Sequence, residues 1–305
     1  MSLDRLESER NTEAASVRPL VSIGFPVYNG EKTVAAILDS FLAQSLTDFE
    51  LLISDNCSTD NTQALCEAYA NREPRIRYIR QPSNLGVVNN FKFVRDQANG
   101  RYFMWAAGDD FRTPDFLDEN VSFLEAHSDY VASTSPNCME GKADNVITFA
   151  MTGKVEERFH SFFENCWVSH GIFYSVMRTE VIKQCAVVGQ SFIAADWAID
   201  LFLACHGKVH RTQKGMTVFG AHGMSSRAGS YRNFRNSKIE WLLPFYRLSC
   251  YALGFARGFS FVQKAWLLKT LIKLNFKAGI DQLHSSLYQF YCAHIKPKRK
   301  HITPG

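Results

Sequence analysis

Short apolar runs alternate with helical stripes along the first 110 positions. Residues 20–25 (LVSIGF), 49–54 (FELLIS), 76–79 and 102–107 are rich in β-branched or aromatic side chains and read as strands. Between them, residues 32–43 set Val34, Ile37, Leu38, Phe41 and Leu42 on one helical face. A second stripe carries Ala64, Leu65, Ala68 and Tyr69, with Ser58 or Thr59 as its N-cap, and residues 87–98 form a third helix. Strands alternating with helices predict an α/β fold, with a parallel sheet and right-handed crossovers.

Beyond residue 110 the pattern is less regular. Pro114 opens a helix whose apolar face is Phe116, Leu117, Val121 and Leu124. Residues 130–133 read as a strand, 137–154 as a loop or hairpin region, 159–167 as a helix and 171–177 as a strand. Thr179 is expected to cap a helix running through residue 187. Residues 196–205 are helical, and 208–213 and 215–220 are strands. From residue 237 three helical stretches run to about residue 294, and a basic tail occupies 296–305. Residues 1–17 are polar and are expected to be disordered or tag-derived.

Composition changes this picture little. The chain has 305 residues, 46% hydrophobic and 21% charged, enough for a sizeable core. A net charge of +4 gives no argument for nucleic acid as a partner. The eight cysteines show no CxxC pair, so they are read as reduced thiols in a cytoplasmic protein. The N-terminal segment does not read as a signal peptide, and no uncharged run reaches the roughly 20 residues that span a bilayer.

The chemistry gathers where strands end. Gly108-Asp109-Asp110 sets two carboxylates side by side after the fourth strand. In open α/β sheets ligands sit at the carboxyl ends of strands, and neighbouring acids repel unless a cation or donors neutralise them. An Asp-Gly turn accounts for the same residues equally well. After the first strand stands Pro26-Val-Tyr28-Asn29-Gly30, not a GxGxxG, which argues against a dinucleotide fingerprint.

The set Pro26-x-Tyr28-Asn29, Asp55-Asn-Cys-Ser58-Thr-Asp60, Asn84-x-Gly86, Gly108-Asp109-Asp110 and Asp196 resembles the family 2 glycosyltransferases over about residues 18–225. The resemblance implies a GT-A fold: a Rossmann-like, mostly parallel sheet flanked by helices, here with a C-terminal helical extension. It makes 18–230 the catalytic domain, with 18–112 as the nucleotide-sugar half and 113–230 as the acceptor half. Residues 231–295 are then a helical region. It implies a hexosyltransferase-type enzyme that moves a sugar, with inversion, from a nucleotide-sugar to a glycan or lipid-linked glycan. UDP is the expected nucleotide because it is common in the family.

The family's pattern assigns roles residue by residue. Pro26, Tyr28 and Asn29 would frame base and ribose, with the Tyr28 ring for stacking and Glu31 accepting from ribose. Asp55 would accept from the base, with Ser58, Asn84 and Gly86 nearby. The aspartate pair corresponds to a short, DxD-like motif for Mn²⁺ or Mg²⁺, with Asp110 as the direct ligand and Asp109 on ribose or metal-bound water. Ala107-Gly108 stand where the family often has a further acid, which leaves the ligand set open. Asp196 is the candidate base, without the acid that often precedes it, and an N-capping role is the alternative; Asp200 is a backup. His222 is a candidate metal or phosphate ligand and Arg227 a phosphate clamp. His170 and Trp167 are candidate lining of the acceptor cleft.

Two other functions stay open. A nucleotide-sugar-binding protein that has lost its base fits the reduced Asp196 motif. A sugar-1-phosphate nucleotidyltransferase fits less well, because residues 25–31 carry no basic side chain. The C-terminal stretch is either a packed helical subdomain, a homodimer contact, or a basic amphipathic surface resting on the inner face of a membrane.

Overall fold

The computed structural model describes residues 18–142, 144–220, 234–235 and 237–294, with side chains up to residue 283. The expectations for residues 1–17, His222, Arg227 and the tail 296–305 lie outside the described residues. The chain divides into two compact units, Met1–Ser191 with Ala195–Ser230, and Phe192–Ala194 with Tyr231–Gly305.

In the first unit, β1 (Val21–Val27), β2 (Phe49–Asp55), β3 (Ile76–Arg80) and β4 (Tyr102–Trp105) alternate with α1 (Val34–Leu42), α2 (Thr62–Arg72) and α3 (Val87–Gln97). β1 pairs in parallel with both β2 and β4, and β2 with β3. The alternation of side chains along these strands divides the core. Val21, Ile23, Phe25, Leu51, Ile53, Tyr102 and Met104 are buried together with Ile37, Leu38 and Phe41 of α1 and with Leu117, Val121 and Leu124. On the other face Gly24 lets α3 approach, since a Cβ there would fall 2.8 Å from Val94. Trp105 donates from Nε1 to the Phe91 carbonyl at 3.0 Å and stacks on Phe173 at 4.7 Å.

The sheet continues past β4 with mixed polarity, in the order β3-β2-β1-β4-β8-β6-β9. Here β6 is Tyr130–Thr134, β8 is Val176–Arg178 and β9 is Lys208–Arg211. β8 runs antiparallel to β4 and β6. A small second sheet orders β5 (Phe111–Arg112), β10 (Thr217–Phe219) and β7 (Asn137–Met139) as β5-β10-β7. The remaining helices of this unit are α4 (Phe116–Ala126), α5 (Val155–Asn165), α6 (His170–Phe173), α7 (Thr179–Ile182) and α8 (Ala195–His206).

Three expectations are corrected. Residues 171–177 are not one strand: α6 precedes the three-residue β8. Gly171 explains the packing of that turn, since a Cβ there would fall 2.4 Å from Asn137. The helix begun at Thr179 ends at Ile182 instead of running to residue 187. Neither Ser58 nor Thr59 caps α2, which begins at Thr62. Asp60 supplies the acceptor there, taking hydrogen bonds from the Thr62 N–H at 3.0 Å and the Thr62 hydroxyl at 2.5 Å.

Among the described residues the second unit carries three helices, α9 (Ile239–Leu242), α10 (Tyr246–Phe255) and α11 (Phe261–His294). Asn275 pins α11 to α10, accepting from the Phe245 N–H at 2.9 Å and donating to the Ser249 hydroxyl at 3.1 Å.

Candidate active site

Because β1, β2 and β4 are parallel, their carboxyl ends lie along one edge and deliver the Tyr28, Asp55 and Asp109-Asp110 segments to it. The first two segments are laced together. Asn29 has φ 52°, a left-handed conformation that Asn tolerates. Its Oδ1 accepts from the Thr59 N–H at 2.8 Å and the Thr59 hydroxyl at 3.3 Å. The N–H groups of Asn29, Gly30 and Glu31 donate to Ser58 Oγ, Thr62 Oγ1 and Asp60 Oδ2 at 2.9, 2.8 and 3.1 Å. Glu31 accepts in return from the Asn61 N–H at 3.2 Å. Asn29, Ser58 and Glu31 therefore hold the loops in place, while the Tyr28 ring stays 49% exposed above them. Pro26 sits within β1, opposite Ser54.

Asp55 closes β2 and is fully buried. Its Oδ1 accepts from the Ser58 N–H at 2.8 Å, and its Oδ2 from the Tyr78 hydroxyl at 2.8 Å and Arg80 Nη1 at 2.7 Å. Of about four acceptor positions on a carboxylate, three are taken by these donors. Arg80 also donates to the Ser58 carbonyl at 3.0 Å. The next loop joins through Asn56, which donates to Asn84 Oδ1 at 2.9 Å and accepts from the Leu85 N–H at 2.7 Å. Asn84 also accepts from the Gly86 N–H at 2.8 Å, and Gly86, at φ 77°, precedes α3.

The aspartate pair follows β4. Asp110 is 3% exposed; its Oδ1 accepts from the Gly220 N–H at 3.4 Å, and its Oδ2 has no hydrogen-bond partner among the described residues. Burial raises its carboxyl to about 6; the Arg112 charge lowers it and Asp109 adds to the rise. Arg112 is itself buried, its guanidinium about 5.5 Å from the Phe41 ring and 5.3 Å from that of Phe116. Burial lowers its pKa, against the opposing charge of Asp110. Gly220 packs directly over the pair: a Cβ there would fall 2.4 Å from the Asp109 carbonyl oxygen.

Asp196 lies in the first turn of α8, after Ala194 at φ 63°. Burial raises its carboxyl above the ordinary value, opposed by the charge of His170 and by the Trp197 N–H. Asp200, one turn on, is buried, and burial with the neighbouring Asp196 charge raises it well above the carboxylate range. Its Oδ2 accepts from the Ser169 hydroxyl at 3.0 Å, which points it into the protein. Burial raises the Tyr174 hydroxyl first, then the charges of Asp110, Asp196 and Asp109 in that order, with Arg112 opposing. One phenol thus lies within electrostatic reach of the aspartate pair and of the candidate base. Trp167 is 47% exposed and meets Trp197, the neighbour of Asp196, edge-on at 5.1 Å.

The residues fit a divalent cation to this extent: a buried carboxylate oxygen without a partner beside a second carboxylate is the donor set a hard cation takes. No group of three His, Cys, Asp or Glu side chains comes together among the described residues, so further ligands would come from a bound diphosphate or water.

The model of the glycosyl transferase family 2 matches residues 22–184, a little over half of the chain. The chain belongs to glycosyl transferase family 2. Among curated family relatives, the putative glycosyltransferase EpsE of Bacillus subtilis is 34% identical over 113 residues, covering 37% of this chain and 41% of EpsE. The chain thus spans well under two thirds of that relative's length. Among solved structures, S. aureus TarS 1–349 in complex with UDP-GlcNAc superposes with a TM-score of 0.63 at 17% identity, covering 83% of this chain and 71% of TarS. The mannosyltransferase PcManGT from Pyrobaculum calidifontis, in complex with GDP-Man and Mn²⁺, gives 0.52 at 15%, covering 97% and 95%. At such identities the likeness concerns the fold, which is GT-A.

Reading the family 2 motifs from sequence missed Arg80, Arg112 and Tyr174. A signal existed for two of them. Tyr78 and Arg80 share one face of β3, and Arg80 stands opposite Asp55 in the register. Arg112 follows Asp110 by two positions, on the same face of an extended segment. Tyr174 carried no signal, because its segment reads as a strand.

Proposed function

We propose that this protein transfers a sugar from a nucleotide-sugar, with UDP as the nucleotide, to a hydroxyl of a glycan in polysaccharide or cell-surface glycan synthesis. The observation that carries the reading is the buried Oδ2 of Asp110 at the strand-end edge, which has no hydrogen-bond partner among the described residues. TarS with UDP-GlcNAc and PcManGT with GDP-Man support a nucleotide-sugar donor on this fold.

In this reading the exposed Tyr28 ring stacks on the base, and the Asn29–Ser58–Asp55 lacing keeps that loop in register. Asp109 and Asp110 face the diphosphate, and a divalent cation held there, Mn²⁺ or Mg²⁺, would neutralise charge on the leaving nucleoside diphosphate. Asp196 takes the proton of the acceptor hydroxyl as that oxygen forms its bond to the anomeric carbon. The bond from that carbon to the phosphate oxygen breaks on the opposite face, so configuration inverts. Burial that raises the Asp196 carboxyl also strengthens it as a base. A lipid-linked acceptor would be met at a membrane surface.

A second reading, a binder without turnover, draws on Ala194-Ala195 standing where the family often has an acid before the base. Release of nucleoside diphosphate from UDP-sugars, with Mn²⁺ and with chelator, separates the two. Metal-dependent release that is lost in Asp110→Ala supports the enzyme. Asp196→Asn is expected to keep donor binding and to lose on the order of a hundredfold or more in kcat. Donor binding without turnover across an acceptor panel would favour the binder.

A further inference from the structure

The second unit presents an exposed apolar surface. On α11, Leu267, Leu271, Leu274 and Ala278 face inward and are buried. A second apolar stripe faces out: Leu268, Ile272, Phe276 and Ile280 follow one another at four-residue spacing, with Phe276 70% exposed. Across a groove of about 780 Å³ the lining continues with apolar side chains of α9 and α10, among them Leu242 at 78% exposure. Soluble surfaces rarely leave so continuous an apolar face open.

Charge around this face is mostly positive, and the row beside the stripe ends in one exposed acid, Asp281, after Ile280. Lys269, Lys273 and Lys277 are exposed, and each follows a stripe residue by one position, about 100° further round the helix. Residues 237–283 hold seven Lys or Arg and two acids. One of those acids, Glu240, is 2% exposed and paired with Arg247 at 3.2 Å, so it is withdrawn from the surface. No helix among the described residues is long and apolar enough to cross a membrane.

We propose that this face docks on an anionic lipid surface, with α11 lying along the plane of the headgroups. An apolar stripe bordered by lysines places its side chains at the acyl boundary while the ammonium groups reach the phosphates. Charge complementarity selects this occupant over a second copy of the chain. Two α11 stripes facing each other would bring six lysines together with few acids to offset them. The proposal goes beyond the transfer reaction and stands whether or not the first unit turns over a donor.

The test is sedimentation of the full chain with vesicles of phosphatidylcholine mixed with phosphatidylserine, against phosphatidylcholine alone, with light scattering of the free protein. Cosedimentation with the anionic vesicles only, weakened by salt, is expected. The K269Q/K273Q/K277Q variant should partition about fivefold more weakly per lysine, on the order of a hundredfold in all. I272S/F276S should also lose binding, and donor hydrolysis by both variants should match the parent. The two side chains changed to serine and the three lysines changed to glutamine are all exposed, so folding is retained; circular dichroism checks it. No cosedimentation at low salt, or equal binding to neutral vesicles, overturns the proposal. So does a dimer in solution that I272S/F276S dissociates.

Discussion

Replacing Asp55 by alanine removes the acceptor on which the strand-end loops converge. The change strands the Ser58 N–H, the Tyr78 hydroxyl and one arm of Arg80, which now bond Asp55 at 2.8, 2.8 and 2.7 Å. The Ser58 N–H bond is buried and the Tyr78 bond part-buried, so each orphaned donor costs about 1–3 kcal/mol. The Arg80 side chain is 32% exposed and rehydrates, so its share is small. Together Asp55→Ala should destabilise by about 3–5 kcal/mol, at the upper end for one substitution. Arg80→Met alone should cost less than Asp55→Ala, because Asp55 keeps two donors. The pair shares a contact, so the double variant should fall short of the sum by at least about 0.5 kcal/mol. Urea unfolding of the four proteins followed by fluorescence gives these values. A loss below about 1 kcal/mol for Asp55→Ala would mean that the buried carboxylate does not hold the loops, and the reasoning fails.

The Asp110 carboxyl rises from 3.8 to about 6 on folding. The folded state then binds more protons than the unfolded state across that window, so stability falls as pH rises through it. The size is about 3 kcal/mol. In chelator Asp110→Asn should therefore be more stable than the parent above about pH 6, and the advantage should vanish towards pH 4; thermal unfolding across pH reads it, and an unchanged difference refutes it. Gly220→Ala places a Cβ against the Asp109 backbone, so donor turnover should drop while the far-ultraviolet spectrum is kept. Asn29→Ala loses two accepted bonds and a tolerated left-handed φ, whereas Asn29→Gly loses only the bonds. Alanine should be the less stable by about 1 kcal/mol in urea unfolding, and equal stability would contradict the backbone argument.

β1, β2 and β4 were legible because they are buried almost throughout, and α1 because it carries a clean apolar stripe. α2 was found although its buried face is Thr62, Cys66 and Tyr69, not the expected Ala64, Leu65, Ala68 and Tyr69. β1 to β4 and α1 to α3 appear within a few residues of where the periodicity puts them. The stretch 171–177 was misread because an apolar run fully inside a core has no period that separates a helical turn from a strand. The α2 cap was misread because Ser58 and Thr59 are used across loops, by Asn29 and Asp55, before the helix begins.

The amino-acid sequence alone determined the order of strands and helices, the family motifs and the identity of the acids at the strand ends, since these depend on neighbours along the chain. Only the tertiary structure decided what those acids experience. Asp55 lost its solvent to Tyr78 and Arg80, and Asp110 kept one oxygen without a partner among the described residues, beside a buried arginine. Tyr174 came within electrostatic reach of the aspartate pair and of Asp196. Burial and opposing charge set these properties, and both are fixed by residues distant in sequence that folding brings near.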